Sequence, residues 1–511
     1  MDTRVLEDLV RRAEAAPGDA GLQAQAGMRL AAVRVLQQKA EPFLLRALAL
    51  SAGNEPWVLN VVYGLLTLYA ARGDHASALT YAELGCKLAP TVTNLRMARA
   101  MVLFRLGLVD RAQDAWRDIF EAQYGIARDY ARAKGWPVAH ALAPETEICR
   151  FFGEMAAKPD LYLKAKALGL IEPAEAHLLA PPDLVCNKAL MAYWADHLIL
   201  HETAEARDAA LPDLTRRRIY LDVVRLPDGR YLHRDLAHRA VQAAWEAAGR
   251  GPLLTLKPAH RGEGRARLAR RGFADDDWFV AWHVRDAATF LEDISWSPNR
   301  YRNAELATYI AGVQAILDRG GWVVRLGDPQ MPRLADIGFT HPRLIDYAHG
   351  GTDLRADWMD LFLVAEARFY FGMASGPSSV AVNFGTPTLG TNWFHLGPWP
   401  YCSGDLFLPK RLVRRADAKP LTLSETLAPG LWGALEPPLF DALGIEVIDN
   451  SEVEIAEAVT EMLDRLEGPA DEAEEDRRRQ AAFAQVADPF NLGMPARCGA
   501  AFLRRHPELC E

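Results

Sequence analysis

Between residues 278 and 393, five short runs of β-branched and aromatic residues recur: WFVAWHV, WVVRLG, RLIDYA, RFYFGM and PTLGTNW. Helical stretches separate them. Residues 304–318 carry Leu306, Ile310, Val313 and Leu317 on one face, and 356–367 form a second such stretch. Strand–helix alternation of this kind predicts a parallel sheet with helices on both faces. A weaker series, TEICRFF, HLILH and RIYLDVV, comes earlier in the chain. The pattern therefore reads as two α/β lobes, 123–262 and 263–465, followed by a C-terminal helical tail, 466–511. The basic segment HRGEGRARLARRG, 260–272, lies between the lobes. Its Gly262-Glu263-Gly264 lacks the third glycine of a dinucleotide fingerprint, so it reads as a solvated linker or helix face.

Residues 1–122 follow a different period. Pro56 and Pro90 are 34 residues apart, as are Gly73 and Gly107. Leu65, Tyr69, Gly73, Ala78 and Pro90 fall where a tetratricopeptide repeat places them, and Gly107, Ala112 and Trp116 hold the same frame in the next unit. The Trp-Leu-Gly start is degraded to Val62, Leu65 and Leu66. The expectation is a short all-α repeat array, which offers a concave surface for a protein partner, a dimer contact or a brace for the next domain.

At 511 residues the chain is too long for one core. Its net charge of -9 argues against a nucleic-acid partner, which wants a basic face. The six cysteines show no CxxC spacing, so neither a zinc site nor a redox pair is signalled, and a reducing, cytoplasmic setting is expected. No apolar run is long enough to span a membrane, and the N-terminus has no apolar signal core.

In open parallel sheets, ligands bind beyond the carboxyl ends of the strands. Three such ends carry unusual residues. In HVRD, His283 and Arg285 are two apart and share one face, and Arg285 can grip phosphate with two parallel hydrogen bonds. In WVVRLGDPQ, Arg325 could reach the same anion, while Gly327 and Asp328 form the turn after it. In GMASGPSSV, Ser375 or Gly376 would cap a helix opening at Pro377, with Ser378 and Ser379 in its first turn, their amides and hydroxyls open to an anion. Asp275-Asp276-Asp277 precedes a strand and reads as its turn, so no metal is expected.

With these residues in hand, the chain resembles a family of bacterial glycosyltransferases that often carry tetratricopeptide repeats. The matching stretches include KPDLYLKAKALG, HVRD, YRNAELATYI, GGWVVRLGDPQMPRL, the run from RADWMD to GTNW, DLFLPK and AFLRRHPEL. HVRD is also similar to the His-x-Arg motif of fucosyltransferases with the GT-B fold. The resemblance implies a GT-B-like pair of Rossmann-type lobes preceded by the helical repeat. It adds Arg302 and Asn303 of YRNAELATYI, Asn392 of GTNW and Lys410 of DLFLPK to the nucleotide-sugar donor site. It implies no bound metal or other cofactor. The acceptor would be a protein such as flagellin, recruited by the repeat array, with a glycan or lipid-linked sugar as the alternative acceptor and a non-catalytic scaffold as the alternative role. A homo-oligomer is compatible with this reading. Asp286, Glu154 and Asp160 are the candidate general bases. The segment FFGEMAAKPD departs from the family pattern, with Glu154 and Met155 where Gly-His-Leu is expected.

Overall fold

Two glycines set the turns of the N-terminal helical hairpins. Gly73 and Gly107 both adopt φ of +76°, a left-handed conformation that costs a side chain energy. Seven helices run through this part of the chain: α1 (Thr3–Ala15), α2 (Ala20–Ala31), α3 (Gln37–Leu50), α4 (Val58–Ala71), α5 (His75–Leu88), α6 (Thr93–Arg105) and α7 (Val109–Lys134). Ala78 and Ala112, one in each of two successive hairpins, are fully buried. Asp74 caps α5 by accepting the Ser77 N–H at 3.0 Å.

The computed structural model describes residues 3–33, 36–142, 147–171, 175–180, 183, 185–219, 222–285, 300–397, 399, 401–468 and 472–511. The chain divides into two units. One is built chiefly from Met1–Phe120 and Ala428–Glu446, the other chiefly from Glu121–Glu292, Tyr301–Leu427 and Val447–Glu511. Ala428–Glu446 groups with the helices because Trp432 packs edge-on against Phe104, with ring centroids 5.9 Å apart.

The second unit contains two parallel sheets. The smaller has β1 (Ala139–Leu142), β2 (Glu175–Leu179), β3 (Ile199–His201) and β4 (Arg218–Ile219) in the order β3-β2-β1-β4. The larger has seven strands: β5 (Phe279–His283), β6 (Trp322–Arg325), β7 (Leu344–Asp346), β8 (Tyr370–Gly372), β9 (Thr388–Trp393), β10 (Leu406–Pro409) and β11 (Arg497–Cys498). Their order is β11-β10-β9-β8-β5-β6-β7, parallel throughout. β5 through β9 are the five runs singled out in the sequence. TEICRFF, expected as a strand, is instead partly helical: Glu147–Arg150 forms a helical turn and α8 (Phe152–Ala167) follows. The strand lies just upstream, at β1.

Four further helices place the site: α9 (Lys188–Trp194), α10 (Arg234–Ala247), α11 (Pro258–Ala269) and α12 (Ile310–Asp318). Three more follow: α13 (Asp357–Ala365), α14 (Gly376–Phe384) and α15 (Glu452–Glu467). The basic segment is the helix α11, whose Arg267 guanidinium lies 4.7 Å from the centre of the Trp358 ring on α13. Gly264 faces the same helix, and a Cβ there would come within 2.5 Å of the Phe362 ring.

Gly262 is exposed on the same helix with nothing within 4 Å of a built Cβ. The two glycines therefore respond oppositely to alanine. Gly262→Ala gains up to about 1 kcal/mol through helix propensity. Gly264→Ala loses about 1–3 kcal/mol as Phe362 is displaced. Urea denaturation followed by far-UV circular dichroism should raise the midpoint for the first and lower it for the second.

Candidate active site

The strand order of the larger sheet fixes where a ligand can enter. From β5 the chain moves outward through β6 to β7, then returns to the other side of β5 as β8. The crossovers leave in opposite directions at this point, so a crevice opens beyond the carboxyl ends of β5 and β8. In the register of the pair, Gly372 stands opposite His283. A side chain on Gly372 would collide with the His283 carbonyl oxygen, so the close pairing of the two strand ends requires glycine here.

The smaller sheet has the same topology, with β4 placed on the far side of β1 from β2. The helix after β1 is α8, and the helix after β8 is α14. The two helices meet at their N-termini. A Cβ on Gly153 would lie 3.1 Å from Gly376 Cα, and one on Gly376 would lie 3.1 Å from Gly153 N. The buried Asn383 amide binds the Ala156 carbonyl at 3.3 Å, holding the helices together further along.

Two arginines stand at this junction. Arg302 donates to the Ala374 carbonyl at 2.8 Å, just before α14. Arg285 follows β5, and its Nε donates to Asn303 Oδ1 at 3.1 Å. The Asn303 carbonyl in turn accepts from Lys410 Nζ at 2.7 Å, and Lys410 pairs with Asp449 at 2.6 Å. Lys410 is buried. It ties the Arg302–Asn303 segment to the end of β10 and pairs with Asp449.

His283 sits beneath the α14 cap. Its Nδ1 lies 3.2 Å from Ser375 Oγ, which lies 2.9 Å from Tyr370 Oη. Burial, aided by the charges of Arg285 and Arg325, pushes the His283 pKa down to about 3. The ring is therefore neutral at physiological pH.

The α14 start departs from expectation in one respect. Ser375 N–H donates to Ser378 Oγ at 3.0 Å, and that hydroxyl donates to the Ser375 carbonyl at 2.6 Å. Ser378 is fully buried, so its hydroxyl is consumed by the cap and is not open to an anion. Pro377 occupies the first turn, where its missing N–H costs nothing. Ser379 Oγ lies 3.6 Å from the built Cβ of Gly153, on the side facing α8.

On the α8 side, Glu154 stands in the first turn, half-exposed and paired with Lys158 at 2.9 Å. Its charge also acts on Arg302. Asp160, expected as a possible base, is buried and paired with Lys164 at 2.7 Å; Lys164 also donates to Gln242 of α10 at 2.8 Å. Its charge is neutralised inside the protein, which removes it as an open base. Asp286 lies outside the described residues.

No sequence motif marks His238. It comes from α10, and its pKa is lowered by burial against the charges of Asp235, Asp160 and Glu154. Its Nε2 is buried without a hydrogen-bond partner among the described residues. Eighty-odd residues separate it from Glu154, so no local motif could signal the approach.

Four other residues named from the sequence make contacts of their own near strand ends. Arg325 is buried and donates to the Pro332 carbonyl at 2.6 Å, with Asp346 Oδ2 at 3.5 Å. Asn392, at φ +48°, exchanges backbone and side-chain bonds with Asn450 and donates to Tyr309 Oη at 3.1 Å. Asp328 accepts the Gln330 N–H at 2.9 Å in its turn, and Gly327 lets Met331 pack close. These groups brace strand ends. Asp277 accepts from Ala274 N and Trp322 Nε1, both at 2.8 Å, at the entry to β5. Among the described residues no cluster of three or more His, Cys, Asp and Glu could hold a metal ion. A cavity of about 150 Å³ lined by Lys164, Gln242, Glu246 and Asp405 lies at the opposite, amino-terminal ends of β9 and β10.

No family model matches the chain, and no curated protein matches it. Among solved structures, similarity is found to a glycosyl transferase of family 9 from Veillonella parvula, with 14% identity, 60% of this chain and 78% of that chain covered, and a TM-score of 0.26. The E. coli ADP-heptose LPS heptosyltransferase II gives 13% identity, 65% and 99% coverage, and 0.37. A mutant of the Thermobaculum terrenum O-GlcNAc transferase gives 13% identity, 90% and 89% coverage, and 0.27. These overlaps are partial, and the geometry of the site stands independently of them.

Proposed function

We infer that the chain is a glycosyltransferase that moves a sugar from a nucleotide-sugar donor to an acceptor hydroxyl, with its two α/β sheets serving as GT-B-like lobes. The observation that carries this reading is the convergence of Arg285, Arg302 and the N-termini of α14 and α8 at the crevice beside β5 and β8. Helix N-termini carry unpaired N–H groups and a partial positive charge. Two of them side by side, next to two guanidinium groups, favour an anion beyond them.

Glycosyl transfer from such a donor breaks the bond between the sugar's anomeric carbon and the diphosphate. Negative charge builds on the leaving oxygen, and fixed cations and N–H dipoles stabilise it. No metal is needed for that task in this reading. The acceptor hydroxyl must give up its proton, and Glu154 is the carboxylate we assign as general base, since it is half-exposed and stands at the start of α8. The His-x-Arg arrangement is fucosyltransferase-like in its spacing. The N-terminal helical hairpins are the tetratricopeptide-like surface assigned to a protein acceptor such as flagellin. Six unpaired cysteines suit a reaction in the cytoplasm.

Arg285→Ala should weaken nucleoside-diphosphate binding about 10- to 100-fold, the loss of a charge-assisted hydrogen-bonding group. Calorimetry across UDP, GDP, ADP, CDP and dTDP measures it, and equal binding by variant and wild type would reject the site. Glu154→Gln should lower kcat about 10²- to 10⁴-fold while leaving donor affinity nearly unchanged. A full-length enzyme given labelled donor and a cell extract should deposit label in the protein fraction. Label confined to glycan or lipid fractions would move the acceptor to those classes, and no transfer with any donor would favour a scaffold.

A further inference from the structure

The hydrogen bonds beneath His283 can be assigned by counting protons. Tyr370 Oη lies 3.2 Å from the Met373 carbonyl oxygen and 2.9 Å from Ser375 Oγ, and Ser375 Oγ lies 3.2 Å from His283 Nδ1. Counted as hydrogen bonds, these three contacts require one proton each. The carbonyl supplies none. Tyr370 and Ser375 supply one each, because a hydroxyl has a single proton and burial keeps the phenol protonated. The third proton must sit on His283 Nδ1. Tyr370 then donates to Met373, Ser375 to Tyr370, and His283 to Ser375. The opposite assignment, with Ser375 donating to His283, leaves Tyr370 one proton for two oxygen contacts, at 2.9 Å and 3.2 Å, so one of the two goes unbonded.

A neutral imidazole carries one N–H, so Nε2 is left with a lone pair. The one side-chain hydrogen bond of His283 among the described residues is through Nδ1, not Nε2. A lone pair cannot hold phosphate, because phosphate oxygens are themselves acceptors.

We propose that Tyr370 and Ser375 are positioning residues that lock His283 in its Nδ1–H tautomer, so that Nε2 accepts a hydrogen bond from a hydroxyl of the bound nucleotide sugar. The proposal rests on the donor reading of the crevice and divides its labour. Arg285 and Arg302 take the anionic part of the ligand, and His283 reads a neutral hydroxyl beside it. A ligand with an anionic group at that place is rejected. The hydroxyl comes either from the ribose or from the transferred sugar.

Selective ¹⁵N-histidine labelling tests the lock, since protonated and unprotonated ring nitrogens differ in ¹⁵N chemical shift. His283, assigned by the resonance lost in His283→Asn, should show a protonated Nδ1 and a bare Nε2. Tyr370→Phe keeps the packing and frees the Ser375 proton for Nδ1, so the tautomer should move toward Nε2–H. Ser375→Ala removes the acceptor of Nδ1–H and should also unlock it, which covers the case of a poorly folded Tyr370→Phe. Calorimetry with the tightest of UDP, GDP, ADP, CDP and dTDP and its sugar conjugate should show about tenfold weaker binding for Tyr370→Phe and His283→Asn. Equal loss for the diphosphate and its conjugate assigns the hydroxyl to the ribose, and loss for the conjugate alone assigns it to the sugar. A wild-type His283 protonated at Nε2, a tautomer unmoved in both relay variants, or unchanged binding by His283→Asn would overturn the proposal. If no nucleotide binds the wild type, the donor reading fails, and the hydroxyl assignment with it, while the ¹⁵N shifts still decide the relay on their own.

Discussion

Two helix N-termini meet backbone to backbone at Gly153 and Gly376, and the electrostatics of the crevice follow from that contact. Like partial charges lie side by side there, which is unfavourable unless something negative is near. Glu154 supplies part of the compensation from the first turn of α8, but half of its side chain is in solvent and Lys158 shares its charge. Arg285 and Arg302 add two full positive charges. In the donor reading proposed above, an anionic ligand sits beside these groups. A side chain at either glycine would force the helices apart by a few tenths of an ångström or more, because the opposing atoms are backbone and cannot turn aside.

The sheet topology explains why these groups gather at one place. A parallel sheet delivers every strand end and the following helix start to the same edge, and the reversal between β5 and β8 opens that edge. The residues with the strongest claim on a ligand come from the two strands flanking the reversal. Residues one or two strands further out do something else. Arg325 ends β6 and binds the Pro332 carbonyl; Asn392, near the end of β9, is clasped by Asn450. In the proposed reading, distance from the switch point separates contact with ligand from support of the strand ends.

Much of the larger sheet was legible in the sequence, because a buried parallel strand is a short apolar run with a turn after it. WFVAWHV and WVVRLG meet that description, as does the Ser-Gly-Pro start of α14. LFLP of β10 and EAHLL of β2 are built on leucine, which suits a helix as well as a strand, and do not stand out in the sequence. TEICRFF has strand-like residues but stands at the start of α8, where packing overrides propensity. The side-chain roles were less legible. Asp160 looks like an open carboxylate in KPDLYLKAKALG, yet its partner Lys164 is one helical turn away and both are buried. His238 approaches the charges of α8 from a helix far along the chain. Residue type shows what a group can do, but its partners decide what it does.

The charge state of His283 ties the stability of the site to its chemistry. Its folded pKa of about 3 lies well below the ordinary value of 6.5. The unfolded chain therefore takes up a proton first as pH falls, so the stability linked to the neutral ring is complete above about 6.5 and drains away toward 3. An anion on Arg285 would offset one of the charges that depress the pKa, yet burial is the larger cause and remains. The ring stays neutral with ligand bound. It is thus a poor acid and a weak base at neutral pH, and its value to the site is the direction of its lone pair. That direction is set by the Tyr370–Ser375 pair, which buries two hydroxyls to fix one proton.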